Sequence, residues 1–387
     1  MKMLLKNKEK SLVISDVETK PLINKLDSNK KKNLKNRTVI SVFIFLYYLI
    51  ILAFAFLSDK SDYPEFAWIP SLSEKITGIF AILLFFMVLI PFELAVFESL
   101  KLIFHKHEKI PIIIIMILCS IVYIIPLLVY LIAQYFTTFL MPSNQEGETV
   151  SIQKSYYLIV LSSVGSLIVL IVALNIILKI YKKDSFKNVI TINVLLLVIV
   201  FGFIGFVFVA LSKGWTVLLF IMISVMCTDV MCYLWGMFFG KHKMAKVISP
   251  NKTWEGAILG TITTVALLLV YCGLWQLDTK TYTVPILNWS FTRGSYVLET
   301  IISFATVNDY SSWLILCFLS VLLVIFSILG DLLFSYVKRK FDIKDFSNLL
   351  KSHGGILDRV DSLLMTSLVY FFYSLIATST FLFSELI

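Results

Sequence analysis

Residues 312–334 read SWLILCFLSVLLVIFSILGDLLF, and residues 335–361 continue as SYVKRKFDIKDFSNLLKSHGGILDRVD. The first stretch is an apolar run of the length that a helix needs to cross the hydrocarbon core of a bilayer. The second gathers cations, carboxylates and a histidine before the next long apolar run. Charge beside a membrane span is costly to keep without a polar ligand. The second stretch is therefore predicted to carry chemistry.

Apolar runs of similar length recur along the chain, which has 387 residues, 58% of them hydrophobic and only 15% charged. A soluble domain is nearer half apolar and a quarter charged. The sequence thus predicts an all-α, polytopic transmembrane helical bundle. Nine spans are predicted, at about 38–57, 76–97, 111–136, 156–178, 189–211, 215–239, 257–277, 312–334 and 362–384.

Three regions follow from this pattern. Residues 1–37 are rich in lysine and arginine and poor in apolar residues, which predicts a disordered basic tail on an anionic, cytosolic membrane surface. A plain topology signal would explain the same tail. Residues 38–211 form an N-terminal transmembrane region with spans one to five, and residues 212–387 form a C-terminal catalytic region.

The distribution of positive charge predicts the orientation. If the N-terminus is cytosolic, all but six of the 34 lysines and arginines fall on the cytosolic side, the exceptions being Lys60, Lys75, Lys154, Lys213, Lys280 and Arg293. Cytosolic loops are enriched in these residues, so the active site is predicted at the cytosolic interface. The long tail and a far-side glycosylation sequon, Asn288-Trp289-Ser290, favour an endoplasmic reticulum membrane over a bacterial inner membrane.

Two carboxylates lie inside or at the end of predicted spans. Asp229 is within the sixth, and Asp331 ends the eighth. Such groups usually face a polar cavity or a partner, because they are costly in lipid. Both are predicted to be functional, although Asp229 could instead join helices through a buried hydrogen bond.

The stretch Ser249-Pro250-Asn251-Lys252-Thr253-Trp254-Glu255-Gly256 precedes the seventh span. Pro250 favours a turn, and Thr253 is predicted to cap the helix that follows. A helix N-terminus with a lysine beside it can bind an anion. A capped helix with an interfacial tryptophan is the alternative.

In the stretch 353–361, Asp358 and Asp361 are three residues apart, so at the start of a helix they share a face. Two such carboxylates favour a cation between them, and oxygen ligands suit Mg²⁺. His353-Gly354-Gly355 predicts a flexible loop whose backbone can approach a phosphate. Positive charge for a triphosphate would come from Lys338, Arg339 and Lys344. Together, these acids, cations and glycines indicate Mg²⁺-dependent phosphoryl or nucleotidyl transfer. The alternative is a cytosolic loop that is basic only because of membrane orientation and whose acids have no function.

Taken together, the two motifs resemble those of the phosphatidate cytidylyltransferases, also called CDP-diacylglycerol synthases. That signature reads Ser-x-x-Lys-Arg-x4-Lys-Asp, then His-Gly-Gly-x-x-Asp-Arg-x-Asp. It is matched by Ser335, Lys338, Arg339, Lys344, Asp345, His353, Gly354, Gly355, Asp358, Arg359 and Asp361. The 249–256 element looks like the family's upstream element. One departure is Lys351, where the family usually has Pro, Gly or Ser.

The resemblance implies a reaction in which CTP and phosphatidic acid give CDP-diacylglycerol and diphosphate. It implies that Asp331, Asp358 and Asp361 hold Mg²⁺ and that Lys338, Arg339 and Arg359 clamp phosphates. Lys252 and Trp254 would help to line the substrate pocket. The other predicted substrate-binding residues are Ser335, Lys344, Asp345, His353, Gly354, Gly355, Thr253, Glu255 and Asp229. The expected partners are CTP, phosphatidic acid, membrane lipids and a second copy of the chain in a homodimer, and no nucleic acid.

Three other functions remain open from the residues. A CTP-dependent lipid kinase of the dolichol kinase type would use similar acids and cations. A secondary transporter would use Asp229 and Asp331 to couple ion movement, but would leave the two charged motifs unexplained. A scaffold protein descended from an enzyme would fold without turning over CTP.

Overall fold

A computed structural model describes residues 38–58, 74–104, 108–140, 165, 168–181, 186–276, 281–284, 289–292, 301–302, 310–350 and 354–385. The predictions for the basic tail, for Lys351 and His353 and for the Asn288 side chain lie outside these residues.

Long helices dominate the described part of the chain. In order, the elements are α1 (Thr38–Ser58), α2 (Glu74–Leu100), α3 (Lys109–Leu140), α4 (Ile168–Ile180), α5 (Phe186–Phe208), α6 (Trp215–Phe239), β1 (Lys243–Ala245), β2 (Ser249–Thr253), α7 (Trp254–Gln276), β3 (Thr281–Val284), β4 (Trp289–Thr292), α8 (Tyr310–Lys340) and α9 (Leu357–Glu385). A π-helical turn, Val209–Lys213, continues α5. Strands β1 and β2 form one antiparallel hairpin, and β3 and β4 form another.

Within the described residues, seven helical segments are long and apolar enough to cross a membrane, which identifies an integral, multi-pass membrane protein. They are Thr38–Ser58, Gly78–Leu100, Asn188–Lys213, Trp215–Phe239, Trp254–Leu274, Ser312–Lys340 and Leu357–Ala377. Two further apolar helical stretches, Lys109–Ile125 and Ile168–Ile180, are shorter. The predicted all-α membrane architecture is confirmed, while the count of nine spans stays a prediction.

The last two helices extend further than their apolar runs predict. Helix α8 continues to Lys340 and α9 begins at Leu357, whereas the predicted spans end at 334 and begin at 362. A span predicted from hydropathy ends at the first charged residues. Lysine and arginine are good helix formers, so the helix itself can continue beyond the apolar run. Both charged motifs are therefore partly helical, and Asp358 and Asp361 lie at the start of a helix, as predicted.

Helix α5 lies at the centre of the bundle, since most of its apolar side chains are buried. It packs against α2 on one side and α9 on the other. Helices α6 and α7 form a second close pair, joined by the β1–β2 hairpin. This arrangement brings the C-terminal ends of α2 and α8 to the N-terminal ends of α7 and α9, where the charged motifs meet.

Candidate active site

Helices α8 and α9 touch at Gly330, and this contact sets the position of two acidic residues. A Cβ atom built on Gly330 would lie 2.8 Å from the Met365 Cβ and 3.2 Å from the Asp361 carbonyl oxygen. Only a glycine lets the two helices approach this closely. The adjoining Asp331 consequently lies within electrostatic range of the Asp361 carboxylate.

A third carboxylate joins these two from another helix. Asp229 on α6 interacts electrostatically with both Asp331 and Asp361. The three acids thus come from α6, α8 and α9, and they repel one another unless cations balance them. Lys252 and Arg359 both interact with Asp229 and supply part of that balance.

Lys252 connects the upstream motif to the downstream one. Its Nζ lies 2.6 Å from Asp331 Oδ2, and the Ser335 hydroxyl donates to Asp331 Oδ1 over 3.2 Å. Both members of the ion pair are partly accessible. The sequence-predicted residues Lys252, Asp331 and Ser335 therefore form one cluster, in which Ser335 is buried and the ion pair is partly exposed.

Asp358 is held differently from the other acids. Lys338 Nζ lies 2.8 Å from its Oδ1, and its Oδ2 accepts hydrogen bonds from the backbone N–H groups of Phe346 (3.0 Å) and Gly355 (2.8 Å). The Asp358 side chain is only 4% exposed, against 13% for Lys338. Asp358 therefore holds the loop between α8 and α9 in place through two hydrogen bonds, and it also holds the Lys338 side chain.

These contacts bear on the predicted magnesium site. In the part of the chain that the structure describes, no three His, Cys, Asp or Glu side chains are grouped so as to coordinate one ion. The donor chemistry of Asp331 and Asp361 fits Mg²⁺, which prefers carboxylate oxygens, and their mutual repulsion favours a cation. Asp358 fits less well, because its side chain is only 4% exposed, against 32% for Asp331, and it is held by Lys338 and two backbone N–H groups.

Arg339, predicted to clamp phosphates, contacts backbone carbonyls. Its Nε donates to the Ile248 oxygen over 3.5 Å and its Nη1 to the Ile343 oxygen over 3.2 Å. These bonds tie the β1–β2 hairpin to the chain just after α8. A contact between Arg339 and a phosphate stays a prediction.

Side chains on either side of Trp254 make the local hydrogen bonds of the upstream motif. The Thr253 Oγ1 accepts a hydrogen bond from Gly256 N over 3.2 Å, which confirms the predicted helix cap. Glu255, predicted to bind substrate, accepts hydrogen bonds from the backbone N–H groups of Lys241 and His242 and lies 2.5 Å from His242 Nδ1. It thereby holds the turn that leads into the hairpin. Trp254 is 51% exposed, and both its predicted contact with substrate and the interfacial alternative stay predictions.

The two glycines of the 354–355 pair leave room for carboxylates. Gly354 has a φ of +79°, and a Cβ there would lie 2.8 Å from Asp358 Oδ2 and 3.3 Å from Asp345 Oδ1. A Cβ on Gly355 would lie 2.5 Å from the Oε2 of Glu98. The sequence predicted that these glycines make the loop flexible near a phosphate. The structure adds a second reason for glycine at both positions, which is close packing against acidic side chains.

Glu98 is a residue of this site that sequence reasoning missed. It lies near the end of α2 and is fully buried, yet its carboxylate accepts three hydrogen bonds from the loop before α9 and the first turn of α9. The donors are Ser347 Oγ (2.5 Å), Ile356 N (3.0 Å) and Leu357 N (2.8 Å). Glu98 lies one residue beyond the predicted second span, and a carboxylate at the end of an apolar run, the signal that singled out Asp331, could have identified it.

Three predicted residues lie at the exposed edge of the cluster. Lys344, Asp345 and Arg359 are exposed. The structure brings Arg359 close enough to Asp229 for an electrostatic interaction, and Asp345 close to Gly354. Their contacts with substrate stay predictions.

Comparison with known proteins places most of the chain in one protein family. Residues 66–377 match the Cytidylyltransferase family. The chain is 35% identical over 159 residues to a Haemophilus influenzae protein named phosphatidate cytidylyltransferase, covering 41% of this chain and 45% of that protein. It is 36% identical over 161 residues to the Staphylococcus saprophyticus protein of the same name, covering 41% of this chain and 50% of that protein.

An animal protein is similar to the same degree. Identity with the Bos taurus protein named phosphatidate cytidylyltransferase 2 is 37% over 154 residues, which is 35% of this chain and 34% of that protein. The matched region thus spans about a third to a half of the length of these relatives.

Proposed function

The chain belongs to the cytidylyltransferase family, and from that membership we propose that it is a phosphatidate cytidylyltransferase. The reaction would be CTP plus phosphatidic acid to CDP-diacylglycerol plus diphosphate. The observation that carries the proposal is the Lys252–Asp331 contact, because it joins the two charged motifs into one accessible cluster at the end of membrane helices. A cluster at that depth suits one soluble, anionic substrate and one lipid with a phosphate headgroup.

The chemistry would be a single in-line displacement. An oxygen of the phosphatidate phosphate attacks the α-phosphorus of CTP and forms a new P–O bond. The bond from that phosphorus to the oxygen bridging to the β-phosphate breaks, and diphosphate leaves with the electron pair. Because the attacking phosphate is already anionic, no side chain is required as a general base, and His353 is not assigned that role.

The cations of the cluster would do most of the binding. Lys252 and Arg359, which balance the acids in this structure, would also attract the triphosphate. Lys338 is held against Asp358 at the start of α9 and would present its remaining N–H groups to a phosphate oxygen. Positioning and charge stabilisation of this kind account for most of the catalysis in phosphoryl-group transfer.

Magnesium is part of the proposal. Asp331 and Asp361 would hold the ion, with Asp229 adding negative charge nearby. Once bound, Mg²⁺ would neutralise charge on the transferring group and on the departing diphosphate. Asp358 would support the site by fixing the loop and Lys338.

The membrane and the orientation are also proposals. The excess of lysine and arginine supports a cytosolic N-terminus and a cytosolic site, and an endoplasmic reticulum membrane is proposed over a bacterial inner membrane. A protease-protection assay on sealed microsomes tests the orientation, and size-exclusion chromatography with light scattering tests a homodimer.

Labelled CTP tests the reaction. Purified protein is incubated with phosphatidic acid and with CTP labelled at either the α- or the γ-phosphate, with and without Mg²⁺. Transfer of the α-label to lipid supports the proposal. Transfer of the γ-label identifies the lipid kinase alternative, and no transfer of either label contradicts both. The Asp331→Asn variant serves as the matched inactive control.

A further inference from the structure

Glu98 links the first half of the chain to the start of the last helix. The first N–H groups of any helix lack partners inside the helix. In α9 the backbone N–H of Leu357, and that of Ile356 just before it, donate to the two oxygens of Glu98. Glu98 therefore caps α9 from a different transmembrane helix, and its negative charge suits the positive end of the helix dipole.

The same carboxylate also fixes the loop that carries the Gly354-Gly355 pair. The Ser347 hydroxyl donates to Glu98 Oε1 over 2.5 Å, and a Cβ added at Gly355 would lie 2.5 Å from Glu98 Oε2, so only a glycine fits against the carboxylate. On its other side, the Gly355 N–H donates to Asp358. Gly355 thus lies between Glu98 and Asp358, so a displacement of Glu98 is transmitted to Asp358 and to its partner Lys338.

We infer that Glu98 is a positioning residue that sets the place of Asp358, Lys338 and Asp361 in the active site by capping α9. It makes no contact with the reacting atoms in this assignment and acts through the loop and the first turn of α9. The inference deepens the proposed function and rests on it for its kinetic test.

Glu98→Gln is the informative variant, because an amide has the same shape but only one accepting oxygen. The Ile356 and Leu357 N–H groups donate to different oxygens of Glu98, so in the same orientation the amide NH₂ group of glutamine would face one of these donors instead of an acceptor. Glu93→Gln is the matched control. Glu93 lies on the same helix and is bonded to the Ser120 hydroxyl, away from α9.

Two measurements on the full chain in detergent separate positioning from general damage. The first is the KM for CTP, which we expect to rise about tenfold in Glu98→Gln, as outer-shell substitutions commonly cost roughly 10- to 100-fold. A smaller folded fraction would lower the maximal rate but leave KM unchanged. The second is amide hydrogen exchange, which we expect to become faster in peptides covering 354–358 and to stay unchanged in α6.

Ser347→Ala tests the same inference if Glu98→Gln does not fold. It removes one of the three hydrogen bonds to Glu98 and leaves the two backbone bonds, so the same changes are expected at smaller size. Wild-type KM and wild-type exchange over 354–358 in every one of these two variants that folds would overturn the inference, as would an equal rise of KM in Glu93→Gln. If the wild-type protein transfers no cytidylyl group, the proposed function fails, and the exchange measurement still decides whether Glu98 holds the start of α9.

Discussion

The ammonium group of Lys252 lies 2.6 Å from the Asp331 carboxylate, and this contact joins the hairpin before α7 to the end of α8. Ion pairs with this much exposure contribute only about 0–1 kcal/mol to stability. Its importance is therefore geometric, since it places a cation of one motif beside an acid of the other.

Replacing Lys252 by Met should remove activity and leave the fold intact. The weak contribution of an exposed pair predicts a small change in unfolding temperature, whereas loss of a phosphate-binding cation should lower kcat/KM by at least ~100-fold, or about 2.7 kcal/mol of transition-state binding. Turnover of labelled CTP and thermal unfolding in detergent measure the two effects. Lys246→Met, at an exposed position in the turn of the same hairpin, is the control and should retain wild-type activity.

Replacing Asp358 by Asn should abolish turnover and also destabilise the protein. Stability should fall because the neutral amide would leave Lys338 without its buried charge partner. Removing one member of a buried pair typically costs about 3–5 kcal/mol.

Thermal unfolding of Asp358→Asn beside Asp345→Asn measures that cost. Asp345 is exposed on the same loop, so its substitution should change the unfolding temperature little. An unfolding temperature of Asp358→Asn equal to that of the wild type would contradict the role assigned to the Lys338–Asp358 pair.

The sequence predicted the parts of this site that depend on local patterns. Apolar runs identify helices because their length matches the bilayer, and Thr253 caps α7 within its own turn. The grouping of carboxylates could not be predicted in the same way. Asp358 finds its partners at Lys338, Phe346 and Gly355, and that choice depends on the path of a loop.

The hydrogen-bond partners of Glu98 could not be predicted from the sequence either, and they lie much further away along the chain. Its partners lie more than two hundred residues further along the chain, and they meet it only because α2 and α9 pack beside α5. Sequence spacing within one motif carries no information about that packing. The motifs that carry the family resemblance lie within residues 249–361, and α2 is outside them.

Replacing Gly330 by Ala should push α8 and α9 apart. The added methyl group would lie 2.8 Å from the Met365 Cβ, and overpacking of this kind costs roughly 1–3 kcal/mol. Activity should fall with stability, because Asp331 and Asp361 owe their proximity to this crossing. Gly273→Ala in α7 is the control, since among the described residues its methyl group would meet only Trp313 Cη2, at 3.8 Å. A stable, fully active Gly330→Ala protein would show that the helices do not cross here.

Removal of divalent metal should stop turnover without unfolding the protein. The ion pairs Lys252–Asp331 and Lys338–Asp358 satisfy two of the acids within the chain itself, so the fold does not depend on an ion. Treatment with EDTA should therefore abolish transfer of the α-label and leave the unfolding temperature unchanged, and added Mg²⁺ should restore the rate. Because Asp331 is assigned to the metal, Asp331→Glu should need more Mg²⁺ for half-maximal activity, whereas Lys246→Met should need the wild-type amount. Full turnover in EDTA would remove magnesium from the mechanism, and unfolding in EDTA would instead identify a structural ion.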